Sequence, residues 1–255
     1  MNDMSPVFSG FQPAWKSRIK LEAWKKIHAS PLMEGCATGD VRFIVALLAG
    51  FWDFVDRFPA IIRGTFKTIS VGTDPRFTKF LQRASERLSG MLSGMEMDER
   101  GHRALWLKSA GMVDLDVQKL MSWRVLPEID KISTIMEQAE LRKKLLYFVA
   151  AQIVAEGISI FLSKAPCFEK VMGQKGLSWF RVHVVHPNDG TTHEDIAYKA
   201  AYQIFVKTGD EPTEESINAT IQECVDLFID GALACCDTFA GSPANTRSPR
   251  LRIIR

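Results

Sequence analysis

The sequence has no C-x-x-C pair, and its five cysteines (Cys36, Cys167, Cys224, Cys235, Cys236) form an odd set with two of them adjacent. That arithmetic argues against a disulfide framework and against a thiolate zinc site. Buried free thiols in a reducing cytosol are the expectation it leaves. The opening Met-Asn-Asp-Met-Ser-Pro carries neither a basic nor an apolar stretch, so no secretory signal is expected. The longest apolar stretches, Phe43 to Phe51 and Leu145 to Ala155, fall short of the ~20 residues a membrane span needs. A cytoplasmic protein without a membrane role is predicted. Charge of one sign is scarce too, with 32 basic against 30 acidic residues and a net charge of +2. Such a balance gives no support to nucleic-acid binding. It is also unevenly spread. Residues 239–255 hold four arginines (Arg247, Arg250, Arg252, Arg255) and no acid, so 28 basic residues face 30 acidic ones in the rest. The expected organisation is one helical domain over 1–238 and a basic tail over 239–255.

Strand signals are few. Ile69 to Val71 and Arg181 to Val185 are β-branched or alternating, but too short to argue a sheet. No internal repeat and no domain linker is visible. What is present has helical period: Lys16 to Ala29, a run opened by Gly39-Asp40 that Pro59 should break or kink, and a helix from about Phe77 to Ser109 ending at Gly111. Shorter helices are expected over Asp114 to Trp123 and from Pro127 toward Glu137. Leu141 to Ser163 is the most apolar. Two more are expected from about Thr191 to Lys207, and from Pro212-Thr213-Glu214-Glu215 to about Asp237. The predicted fold class is therefore all-α, a single bundle of about seven helices.

Three clusters could carry chemistry. Glu156 is the only charged residue in the eighteen positions from Leu145 to Leu162. A carboxylate on such a helix is buried, and an unpaired buried charge costs several kcal/mol. It must be protonated, pair with a cation or ligate a metal. On the long helix, Leu88, Leu92, Met95, Glu99, His102 and Trp106 share one face, so Glu99 and His102 interrupt an apolar stripe. A Glu-x-x-His pair on one face is how helical bundles place a carboxylate and an imidazole on one metal. A core histidine bonded to a nearby carboxylate would give the same pattern. Glu96, among Ser89, Ser93, Arg100 and Arg103, looks like a solvent-facing rival. The third cluster, His183-Val-Val-His186-Pro-Asn-Asp189-Gly-Thr-Thr-His193, holds three of the five histidines, though a polar surface turn would read alike. Oxygen and nitrogen donors on helices, without thiolates, suit iron or manganese better than structural zinc.

The order of these clusters resembles the heme-oxygenase-like superfamily, which includes thiaminase II, pyrroloquinoline-quinone synthase and haem-oxygenase-like di-iron oxidases. The resemblance rests on Asp98-Glu99-x-Gly101-His102, on Arg103-Ala-Leu-Trp106-Leu-x-x-Ala110-Gly111, and on Ile27-His28-x-x-Pro31-Leu32-Met33-x-Gly35 followed by Gly39-Asp40-Val41. It spans roughly residues 20 to 240, through short motifs. In the di-iron branch the ligands come from a Glu/His helix, a lone later Glu, and an H-x-x-x-D-x-x-H segment. The resemblance implies Glu99, His102 and Glu156 for the first two. For the third, His186 and His193 keep the spacing, but Gly190 stands where the aspartate belongs. Trp179-Phe180-x-x-His183 is similar to the aromatic lead-in of that segment, with Asp189 as the aspartate only if three residues are inserted.

The resemblance thus implies a heme-oxygenase-like fold and an iron oxidoreductase of one or two ions, with manganese as the alternative metal. Its metal residues would be Glu99, His102, Glu156, His183, His186, Asp189 and His193. Phe51, Phe54 and Trp106 would line the substrate pocket, and the partners would be a small-molecule substrate, dioxygen and a second copy of the chain in a homodimer. The rivals are a metal-free member of the fold (a thiaminase II-like hydrolase or cofactor-less oxidase) and a non-catalytic helical binding protein. None of the five cysteines falls into the thiaminase pattern. Pairing of Glu156 with Arg or Lys is the feature expected of the binding-protein rival.

Overall fold

The computed structural model describes residues 14–71, 101–184, 194–195, 197–198, 201 and 213–241. Its helices are α1 (Ala14–His28), α2 (Pro31–Ala37), α3 (Val41–Gly50), α4 (Trp52–Val71), α5 (101–111), α6 (Val117–Ser122), α7 (Pro127–Gln138), α8 (Leu141–Ser163), α9 (Pro166–Gly176) and α10 (Ser178–Val182). Glu194, Asp195, Ala197, Tyr198 and Ala201 are the described residues of α11, and α12 is Glu214–Cys235, followed by a π-helical turn over Cys236–Ala240. Among the described residues there is no strand. The stretch around Arg181, β-like in sequence, is helical through Val182 because Trp179 and Phe180 bury themselves against Trp106 and Phe168.

The α8 helix is the axis. The Glu140 carboxylate accepts from the backbone N–H groups of Lys143 and Arg142, satisfying donors that the first turn would leave bare. Beyond that cap, residues on every side of α8 are buried, which places it in the interior rather than on an edge. It packs against α1, α2, α7, α9, α10 and α12. By length and composition α8 could cross a membrane, longer than the apolar runs in the sequence suggest. However, 78% of its most apolar window is buried inside the protein, which is the pattern of a core helix.

The chain breaks at Phe51, not at Pro59. Phe51 leaves the helical region (φ −88°, ψ 1°) and α4 then continues through Pro59. The reason lies on both sides of the proline: Phe54, Phe58, Ile61, Ile62 and Thr65 form one buried face. Burial of four large apolar side chains outweighs the roughly 3 kcal/mol an internal proline costs. Arg57 then locks α4 to α7 through Asp130 at 2.7 Å and Glu137 at 3.0 Å. At the end of α3, Gly50 lets α12 come close, since a Cβ there would lie 2.1 Å from Cys235 Sγ. The π turn that follows carries Phe239 onto Trp123, with ring centroids 4.7 Å apart. Short helices α2, α9 and α10, none of which the periodicity marks, raise the helix number above the predicted seven.

Candidate functional site

Four residues of α1 at spacing four, Lys16, Lys20, Trp24 and His28, lie one above another on a single face. The lower two seat α1 on α8. Trp24 Nε1 donates to the Ile153 carbonyl at 2.9 Å. His28 Nε2 lies 2.9 Å from the Gly157 carbonyl, and because a carbonyl only accepts, that nitrogen carries the proton. The contact needs glycine at 157: a Cβ there would stand 2.5 Å from Trp24 Cδ1. With α1 so placed, Lys20 meets Glu156. Its Nζ is 2.6 Å from Glu156 Oε2 and 2.8 Å from Glu194 Oε2 on α11. One turn earlier, Lys16 Nζ bonds Asp195 Oδ1 at 2.7 Å and lies 3.4 Å from Glu194 Oε1, close enough to pair though not to hydrogen-bond.

The two carboxylates are 7% and 3% exposed, so this is an interior charge network. Burial pulls the Lys20 ammonium down, but Glu194 and Glu156 together outweigh it and hold the group above its ordinary 10.5. Lys20 therefore stays charged throughout the neutral range.

A second group gathers where α5 meets α10. His102 is 8% exposed and its ring centroid lies 4.6 Å from that of His183. One turn beyond His102, Trp106 donates to the Leu48 carbonyl at 2.9 Å and meets Trp179 edge-on at 4.6 Å. Trp179 in turn lies 4.2 Å from His183. The His183 Nδ1 is 2.8 Å from the Trp179 carbonyl. Because a carbonyl only accepts, Nδ1 carries a proton in that contact, and the ring is oriented as in an imidazole backed by a carbonyl. Ser109 Oγ, donating to the Gly176 carbonyl at 2.6 Å, ties α5 to α9 beside it.

Of the residues singled out from sequence, His102 and His183 are brought together, and Glu156 is brought to Lys20 and Glu194. Glu99, His186, Asp189 and His193 lie outside the described residues. Among the described residues no three or more of His, Cys, Asp and Glu group as a metal would need. Phe51 and Phe54 engage Phe228, with centroids 6.0 and 5.0 Å away, while Trp106 stands beside Trp179, next to the imidazoles. The cysteines are all free, but Cys167 is exposed rather than buried. Burial pushes the thiols of Cys36, Cys224 and Cys235 well up and that of Cys236 to about 11, so none of these four is an activated thiolate. Sequence reasoning missed Lys16, Lys20 and Glu194. The four-residue spacing on α1 was the readable signal.

No protein-family model matches the sequence, and no curated protein matches it. Solved structures do. A TenA homolog from Pseudomonas syringae pv. tomato str. DC3000 superposes with a TM-score of 0.70 at 15% identity, over 93% of this chain and 99% of the other. A domain of unknown function with a heme oxygenase-like fold from Shewanella denitrificans OS217 gives 0.59 at 13%, over 96% and 100%. The chain has the heme-oxygenase-like fold. A TenA homologue from P. horikoshii OT3 shares it at a TM-score of 0.54 and 11% identity, over 88% of this chain and 96% of that one. Within this fold, α8 and α1 supply the charged centre, and α5 and α10 the imidazoles.

Proposed function

We propose that the chain is a metal-dependent oxidase or oxygenase of heme-oxygenase-like fold, acting on a small molecule in the cytoplasm as a homodimer. Non-haem iron, as one or two ions, is the metal of this reading, with manganese the alternative. The observation that carries it is the meeting of His102 and His183, two candidates from separate helices, with ring centroids 4.6 Å apart. Their chemistry fits such a metal: nitrogen donors, one buried and one half-buried, the latter oriented by a backbone carbonyl. Glu156 is engaged by Lys20 and does not group with the two imidazoles, so the remaining donors would have to come from Glu99, His186, Asp189 or His193. When bound, the metal would supply the dioxygen chemistry itself. The chain's own residues have simpler tasks. Trp106 and Trp179 screen the imidazoles from water, and the Trp179 carbonyl orients His183. Lys16 and Lys20 hold the acidic side chains in place.

Purified protein is expected to take up about one or two equivalents of Fe(II). The variants His102→Ala and His183→Ala should each lose most of that uptake. Metal analysis and Fe(II) titration both at background would sink the reading. A second reading is favoured by the Lys20 contact with Glu156, the pairing expected of a chain that uses no metal. It is a metal-free member of the fold, either a hydrolase or cofactor-less oxidase or a non-catalytic helical binding protein. Function that survives a strong chelator would select it. A thiaminase II-like hydrolase could not use Cys36, Cys224, Cys235 or Cys236 as its nucleophile, given their raised thiols.

A further inference from the structure

The chain turns from α9 into α10 on a pair of glycines. Gly173 has φ 57° and ψ 179°, a conformation that essentially only glycine adopts, and it breaks α9 shortly before its end. Gly176 sits in so close a fit that a Cβ there would stand 2.8 Å from Met112 Cγ and 3.1 Å from Met172 Cβ and Cε. Two side chains from the C-terminal end of α5 hold this bend. Ser109, fully buried, donates from Oγ to the Gly176 carbonyl at 2.6 Å. Met112 lies across both glycines, its Cγ against Gly176 and its Cε 3.9 Å from where a Gly173 Cβ would be. The bend leads at once into Trp179, Phe180 and His183. Of the two methionines at Gly176, Met172 is fully buried, whereas Met112 is 42% exposed. The strap over the bend is thus an apolar thioether open to water.

We propose that Met112 is an oxidation site, and that conversion of its thioether to the sulfoxide by a peroxide releases the α9–α10 bend that carries Trp179 and His183. In this step one peroxide oxygen forms the S=O bond at Met112 Sδ and the O–O bond breaks. The sulfur gives up two electrons, and the peroxide is reduced to water. The product is polar where the thioether was apolar. Its oxygen must stay hydrated, and there is no room for an added atom against Gly176, where even a methyl carbon would collide. The oxidised side chain therefore turns outward and uncovers both glycines. Trp179 stays on Trp106 and α10 on α8, so the bend loosens while the fold holds. Methionine sulfoxide reductases return the sulfoxide to the thioether, which makes the release reversible. Met121 on α6 supplies the contrast: at 70% exposed it is the more open to peroxide, but it has little packing to lose. No metal takes part, so the metal reading above can fail without touching this site, and the reverse.

The test is amide hydrogen exchange over residues 166–183, read by mass spectrometry before and after hydrogen peroxide treatment of the full-length protein. Every protein compared carries Cys167→Ser, because that exposed thiol on α9 would otherwise react in the same segment. Peptide masses report the oxidation of Met112 and Met121 in the folded chain. With Met112 oxidised, exchange over 166–183 should quicken about fivefold, and the melting temperature should fall by about 2–4 °C. Met112→Leu should keep its slow exchange after the same treatment, and Met121→Leu should respond as the parent does. Untreated Met112→Gln, which puts a polar group at the same place, should already exchange fast. The proposal is overturned if Met112 stays unoxidised in the folded chain, or if its oxidation leaves exchange over 166–183 unchanged. Loosening of Met112→Leu equal to that of the parent, or parental exchange in untreated Met112→Gln, would overturn it as well.

Discussion

The two halves of the site solve the problem of buried polarity in opposite ways. On the α5–α10 side, His102 and His183 stand beside Trp106 and Trp179, and His183 Nδ1 meets a backbone carbonyl. On the α1–α8–α11 side, five charged groups lie against one another in ion pairs. The first half is cheap to bury, because an aromatic ring needs little beyond its hydrogen bonds met. The second is stable only as a set, since removing one member strands the others in a medium that penalises bare charge. Function in the first half can thus be changed without unfolding the chain, whereas the second couples function to stability.

That contrast can be broken by substitution. The largest effect is expected from Lys20→Met, which removes the cation between two buried carboxylates and should lower unfolding stability by about 3 kcal/mol in urea titrations. His183→Ala should cost clearly less, since it removes one partly buried ring. Equal losses would erase the distinction between the halves. Next comes Gly157→Ala. Its Cβ would collide with Trp24, so α1 should lift from α8 at a cost of about 1–3 kcal/mol, read as faster amide exchange in α1. The acid–base behaviour is a sharper probe. Because Lys20 is held above 10.5, its contribution is complete below pH 10.5 and is lost as the pH climbs through the higher folded-state value. Wild type should lose stability in that alkaline window, and Lys20→Met should not show that component. The smallest effect concerns Asp40, the cap of α3, whose carboxyl is held below 3.8 chiefly by the hydrogen bond from Arg42. Its contribution is present above pH 3.8 and fades as the pH falls below. Asp40→Ala should cost about 1 kcal/mol, without touching either half of the site.

The long elements were readable because their signals are local. The Leu141–Ser163 helix shows its bounds in its own apolar run, and the last helix starts at the Thr213 cap that the Pro212-Thr213-Glu214-Glu215 sequence announces. The short α6 was announced by its Asp116 cap, but α2, α9 and α10 were not, since so few turns carry too little periodicity and form only where tertiary burial holds them. Pro59 misled for the same reason in reverse: a strong local signal yields to a continuous buried face. At the site, Glu156 stood out as a charge in an apolar helix, but nothing nearby in sequence names its partner. Lys20 lies on the first helix and Glu194 on a later one, and only the packing of Trp24 on Gly157 brings them together. His102 and His183 were legible as candidates, while their approach depends on the Trp106–Trp179 contact that joins α5 to α10.

The most direct measurement is an anaerobic Fe(II) titration of the purified protein beside His183→Ala. The reading predicts saturable uptake of about one or two equivalents by the wild type, with most of it lost in the variant while the melting temperature barely moves. Background uptake in the wild type, or equal uptake in the two proteins, would contradict it.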